Sequence, residues 1–108
     1  MAASFDAAAV LSALRRIPRG KVTTYGALAR HLFGDARKAR AVAGALAANV
    51  RQDEFPCYKV VAADGRLSGY NLGLPEKIRR LKADGVAVRG DGENARVAPE
   101  HLWAPDAW

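Results

Sequence analysis

The sequence has one thiol, Cys57, in the run Phe55-Pro56-Cys57-Tyr58-Lys59-Val60-Val61. A cysteine attacks as its thiolate, which normally requires a histidine or another cation beside it. His31 and His101 lie far away along the chain, and their spacing predicts no contact with Cys57. Tyr58, with a phenolic pKa of about 10, is a poor base at neutral pH. Lys59 could favour a thiolate, but the run reads as the start of a strand, where neighbouring side chains point to opposite faces. Cys57 is thus either a nucleophile without an obvious activator or a small apolar residue lining a pocket. One cysteine forms no internal disulfide, and with two distant histidines it is a poor zinc set, so neither metal nor other cofactor is expected.

Charge points to a partner. The 108 residues carry 17 basic and 11 acidic side chains, net +6. Residues 1–51 hold nine basic groups against two acidic ones, whereas residues 52–108 are close to balance. A basic half in a small chain favours a polyanion with salt-sensitive affinity, the alternative being an ordinary solvated surface. There is no membrane-spanning apolar run and no secretory signal. The expectation is one domain over 1–108 with an aromatic tail at 99–108, in a reducing cytoplasmic location, nucleoid-associated if the source is prokaryotic.

The elements that must position Cys57 follow from caps and periodicity. Ser4 can cap a helix to about Arg16, with Phe5, Ala8, Ala9, Ser12 and Ile17 near one face and Val10, Leu11 and Leu14 extending it. Thr24 caps a second helix, Tyr25 to about His31, and Gly34 stops it. Asp35 caps a third, reaching Asn49, with Ala39, Val42, Leu46 and Val50 inward. Its other side reads Arg37, Arg40, Gly44, Ala47 or Ala48, and Arg51. Gly44 costs a helix about 1 kcal/mol relative to alanine, and either a groove wall approaching closely or packing against a neighbouring element would explain it. The pair reads as a helix-turn-helix, with Arg37 and Lys38 placed to meet phosphates.

Residues 67–74 form a glycine-rich loop carrying Tyr70 and Asn71. Pro75 opens a last helix to Asp84 with Ile78 and Leu81 inward, and Gly85 ends it. Val86–Val88 and Asn94–Val97 read as short strands flanking a turn. The expected class is α/β of the α+β type, a small helical domain with a helix-turn-helix or winged-helix-like element and short β hairpins. By themselves, Tyr25 reads as a core aromatic or a phosphate contact, and Arg40 as a surface charge or a group entering a duplex.

Taken together, the segments Ile17–Gly26, Ala39–Leu46 with Asn49, Pro56–Val61, Gly65–Leu74 and Leu81–Val86 resemble the DNA-binding domain of O6-alkylguanine-DNA alkyltransferases, and more closely the stand-alone alkyltransferase-like proteins. The resemblance implies minor-groove binding through Thr24, Tyr25, Arg37, Lys38, Ala39, Arg40 and the small residues Ala43, Gly44 and Ala47. Arg40 would fill the stack vacated by an extruded base while Tyr25 turns the 3′ phosphate. The lesion pocket would comprise Cys57, Tyr58, Val60, Gly69, Tyr70 and Asn71, and Asn49 would tie the cysteine segment to the helix-turn-helix.

Full alkyltransferases carry Pro-Cys-His-Arg-Val, with a glutamate orienting the histidine. Here Tyr58, Lys59 and Asp84 stand at the histidine, arginine and glutamate positions. Stand-alone members usually replace the cysteine, which this chain keeps. The expected function is non-enzymatic binding of O6-alkylguanine in double-stranded DNA by a monomer that flags damage for nucleotide excision repair proteins. Two alternatives remain: slow irreversible alkyl transfer to Cys57, and a lesion-independent architectural DNA binder.

Overall fold

The computed structural model describes residues 7–51 and 53–103, so Ser4, Phe5 and Trp108 fall outside the described residues. The first helix, α1 (Ala7–Leu14), buries Val10, Ala13 and Leu14. The buried side therefore runs through Val10, Ala13, Leu14 and Ile17, whereas Ala8 and Ser12 face solvent. Volume decides this, because two alanines and a serine bury less apolar area than a valine and a leucine.

After β1 (Thr23–Thr24) comes α2 (Tyr25–Phe33), and Thr24 caps it as expected, its side chain accepting from the Ala27 amide at 3.0 Å. Gly34 closes α2 at φ 69°, donating to the Arg30 carbonyl at 2.9 Å, a left-handed end that glycine adopts without strain. Asp35 also caps as expected, but what it caps is a 3-10 turn, Ala36–Lys38. The third helix, α3, spans Ala39–Ala47 and starts only after Lys38 leaves helical geometry at ψ 6°. Val42 and Leu46 are buried on its inner side, but Val50 lies past its end and is 90% exposed, which corrects its expected core placement.

The cysteine segment departs further from expectation. Cys57–Lys59 is a 3-10 turn, and the strand that follows, β2, is only Val60–Val61. It pairs in parallel with β1, Thr23 opposite Val60 and Thr24 opposite Val61. Parallel neighbours need a long crossover, which α2 and α3 supply. Helix α4 (Leu74–Ala83) has Pro75 in its first turn. The one hairpin among the described residues joins β3 (Val88–Arg89) to β4 (Arg96–Val97). Beyond it, the Val22 amide donates to His101 O at 2.8 Å and the Trp103 amide to Val22 O at 2.7 Å, so the tail runs beside the segment before β1.

Two hydrophobic clusters result. One gathers α1, α2 and α3 around Leu14, Leu28, Val42 and Leu46, with Cys57 and Val60 buried in it and Trp103 against it. The other gathers Val22, Val61, Leu67, Leu81, Val86 and Val97. Val60 and Val61, alternating along β2, thus connect the two. The fold is a small α+β arrangement built on a helix-turn-helix. Among the described residues no helix is long and apolar enough to cross a membrane.

Candidate nucleic-acid interface and its pocket

Leu28 and Ala29 of α2 pack with Val42, Ala45 and Leu46 of α3, which leaves Arg40, Gly44 and Ala47 exposed and Ala43 half-buried. A Cβ at Gly44 would meet nothing within 4 Å. Packing within the chain therefore does not require glycine, and of the two explanations open in the sequence, close approach from outside remains. Gly44→Ala should raise stability by about 0.5–1 kcal/mol in thermal melts while weakening duplex binding several-fold. A stabler variant with unchanged duplex affinity would remove the close-approach argument. Nearby, Lys38 is exposed, and the Arg37 guanidinium leans on Asp35 at 3.0 Å in an exposed pair that a phosphate can displace.

A cavity of about 250 Å³ opens beside this face. Tyr25 and Ser68 line it with Ala43, Leu46 and Ala47 of α3, and Cys57, Gly69, Tyr70 and Asn71 complete the lining. Tyr25 hydrogen-bonds to Ser68, and burial pushes its phenol up. Ser68 holds φ 63°, a backbone state costly for a residue with a Cβ and commonest where function demands it. The Tyr70 hydroxyl is buried and has no hydrogen-bond partner among the described residues, so it can donate to a ligand in the cavity.

The loop bearing these groups is held from two sides. Asn71 Nδ2 donates to the carbonyls of Ala47 at 2.7 Å and Asn49 at 3.1 Å, satisfying oxygens that the end of α3 leaves open. On the other side, Lys77 is fully buried and donates to the carbonyls of Val60, Leu67 and Gly69. Burial pushes the Lys77 ammonium down to about 8. Sequence reasoning missed Lys77, although Leu74, Lys77, Ile78 and Leu81 share the three-and-four spacing of a buried helix face. Ser68 was missed as well, and nothing local in the sequence announces its backbone angle.

Cys57 is buried, its sulfur accepting from Asn49 Nδ2 at 2.8 Å and facing the Leu46 carbonyl at 3.8 Å. Asn49 Nδ2 also donates to Phe55 O at 2.9 Å, so this one side chain links the end of α3 to the cysteine turn. Burial pushes the thiol pKa up, the Asn49 hydrogen bond only partly opposing it. Neither histidine supplies a base. His31 is exposed on α2, and His101 bridges the Gly20 carbonyl and the Ala87 amide.

Two residues expected in the pocket lie elsewhere. Val60 is fully buried in the core, and Tyr58 lines a different concavity with Lys59 and Asp84. Both expected placements followed from the family resemblance, and along the 3-10 turn successive side chains stand about a third of a turn apart, so Tyr58 leaves the side that Cys57 faces. Burial pushes the Tyr58 phenol up, further from use as a neutral-pH base. Asp84 has no relay geometry toward Cys57. Its Oδ2 stands 2.9 Å from Lys59 Nζ and accepts from the Gly20 amide at 3.0 Å. Lys59 also donates to the carbonyls of Ile17 and Pro18.

Residues 6–86 match the family model described as 6-O-methylguanine DNA methyltransferase, DNA binding domain. The chain belongs to this methyltransferase DNA-binding family. Among its relatives, the bifunctional methyltransferase/endonuclease of Picrophilus torridus is 52% identical over 77 residues, 71% of this chain and 26% of that protein. The methylated-DNA--protein-cysteine methyltransferase of Methanothermobacter thermautotrophicus is 38% identical over 81 residues, 75% of this chain and 44% of that one. The chain therefore spans only a quarter to under half of these relatives. Its structural match to S. pombe Atl1 in complex with damaged DNA containing O6-carboxymethylguanine extends much further: TM-score 0.78 at 31% identity, over 92% of this chain and 94% of that one.

Proposed function

We propose that this chain binds O6-alkylguanine in double-stranded DNA and holds the extruded base without accepting its alkyl group. The observation that carries the reading is the cavity of about 250 Å³ between Tyr25, Cys57 and Tyr70, opening beside a helix face with almost no side chains. The likeness to lesion-bound Atl1 supports the same reading. In it, Thr24, Tyr25, Arg37, Lys38 and Ala39 meet the DNA backbone, while Ala43, Gly44 and Ala47 let the groove come close. Arg40 enters the stack to replace the lost base, offsetting part of the few kcal/mol that extrusion costs. The chain acts as one monomeric unit, with its 99–108 tail, and presents the marked site to nucleotide excision repair proteins in the cytoplasm or nucleoid.

Alkyl transfer lacks its usual parts. The thiol pKa is raised rather than lowered, Tyr58 faces away, and Asp84 is paired with Lys59.

The test is binding, at matched salt, to duplexes that differ only in one O6-methylguanine. The expected result is at least about tenfold tighter binding of the damaged duplex, with a fluorescence rise from a probe base next to the lesion. Arg40→Ala should remove most of that preference and of the fluorescence rise. Mass spectrometry of the Cys57 peptide after long incubation should show no added methylene. Equal affinities for the two duplexes would end the lesion-binding reading, and a methylated Cys57 would turn it into slow transferase chemistry.

A further inference from the structure

The concavity that takes Tyr58 is the larger of the two flanking the cysteine turn, about 670 Å³ against about 250 Å³. The two share no lining residue. Cys57 borders the smaller, whereas Pro56, Tyr58 and Lys59 border the larger, so the cavities stand back to back across one turn. Arg15 and Arg19, from the segment that follows α1, also line the larger one, as do Arg80 of α4 and Asp53 and Glu54 before the turn.

Most cations around this concavity are neutralised. Lys59 is held by Asp84 at 2.9 Å, and Arg79 by Glu76. Arg15 and Arg19 are different. Both are exposed, and among the described residues neither has a carboxylate partner; Arg19 donates only to the Ala83 carbonyl at 3.2 Å. Arg80 already shows how a carboxylate is received here. Its Nη1 meets Asp53 at 3.2 Å, although the Asp53 side chain is 95% exposed, and such a pair is easily displaced. The basic half read from the sequence is thus split into two patches. One lies on the helix-turn-helix, and the other lies at this second cavity.

The geometry points to a second binding site here, one that takes an acidic segment of a partner protein. Charge complementarity favours carboxylates against Arg15 and Arg19. Asp53 and Glu54 also line the concavity, paired with Arg80 and Arg51 in exposed bridges, and these carboxylates disfavour the unbroken phosphate run of a duplex, which carries a charge every few ångströms. A peptide can instead set acids against the arginines and neutral or basic groups against Asp53 and Glu54. Ile17 and Pro56 add apolar lining for an aliphatic side chain. This site does not depend on the lesion reading, since it uses none of the smaller pocket's residues.

The experiment uses the full chain and a fluorescein-labelled acidic dodecapeptide, rich in Asp and Glu with one Leu, read by anisotropy and by amide chemical shifts. The expected result is saturable binding that a duplex bound to the protein does not displace, with shifts at Arg19, Tyr58 and Ala83. The double variant Arg15→Glu, Arg19→Glu should lose about tenfold or more in peptide affinity. It should keep its ratio of damaged to undamaged duplex binding within about twofold. Arg15→Ala, which alters one exposed side chain, should give a smaller loss in the same direction. Three results would overturn the proposal: no peptide binding, equal binding by the charge-reversed variant, or displacement of the peptide by duplex. The last would make the surface an extension of the DNA-binding face.

Discussion

Replacing Asp84 by alanine is expected to remove about 4 kcal/mol of unfolding free energy, a large share of the 5–15 kcal/mol typical of a small domain. The carboxylate lies 2.9 Å from Lys59 Nζ, their side chains only 13% and 6% exposed. Taking away one member of such a pair leaves the other charge buried with no counter-ion, a much worse state than the intact pair. The Ile17 and Pro18 carbonyls still accept from Lys59, but dipoles do not neutralise an ammonium. The Gly20 amide also loses its acceptor. Urea unfolding of Asp84→Ala, Lys59→Met and the double variant measures the coupling directly. The double variant should be more stable than Asp84→Ala alone, because the stranded ammonium is gone. A single-variant loss below about 1 kcal/mol, or strictly additive losses, would show that the pair does not hold the cysteine turn against the segment after α1.

Lys77→Met should come next, at about 3 kcal/mol, with a pH signature of its own. Methionine nearly matches the lysine stem, so the loss comes from three carbonyls left without a donor, at about 1–3 kcal/mol each. Part is offset, since burial of the ammonium is itself unfavourable, as its fall from 10.5 to about 8 records. The net shift in melting temperature should be about 15 °C. Between pH 8 and 10.5 the unfolded lysine holds a proton that the folded one has lost, so stability gained from this group rises with pH through that window. The gap between wild type and Lys77→Met should therefore widen as pH climbs from about 8 toward 10.5. Tyrosine and thiol titrations are common to both proteins and largely cancel. A gap that stays level across that range would mean that the folded ammonium keeps its proton as the unfolded one does, as a water-exposed lysine would. Lesion binding should suffer too, because the carbonyls of Leu67 and Gly69 anchor the loop that carries Ser68 and Tyr70.

Much of the framework could be read from the order of residues. Thr24, Gly34 and Asp35 announce helix ends because a cap acts on amides and carbonyls two to four residues away. The small-residue side of α3 and the motif around Cys57 led to the family that residues 6–86 match. Where reading failed, a short-range rule met a long-range contact. Val50 continued the inward spacing of α3, but the helix ends at Ala47. Tyr58 was expected beside Cys57 only from the family resemblance, whereas Pro56 and the Lys59–Asp84 pair accompany a tight turn that faces it the other way.

By itself, then, the sequence determined the helices, the caps at Thr24, Gly34 and Asp35, and the helix-turn-helix, since each depends on neighbours within one or two turns. Only the tertiary structure decided the parallel pairing of β1 with β2, the lining of the pocket by Leu46 and Ser68, and the use of Asp84 and Lys77 as buried anchors. Gly20 and Asp84 meet across 64 positions, and Lys59 reaches Ile17 across 42. No local pattern encodes such closures. They depend on how the helices stack, and that stacking leaves Cys57 bordering a pocket with no base beside it.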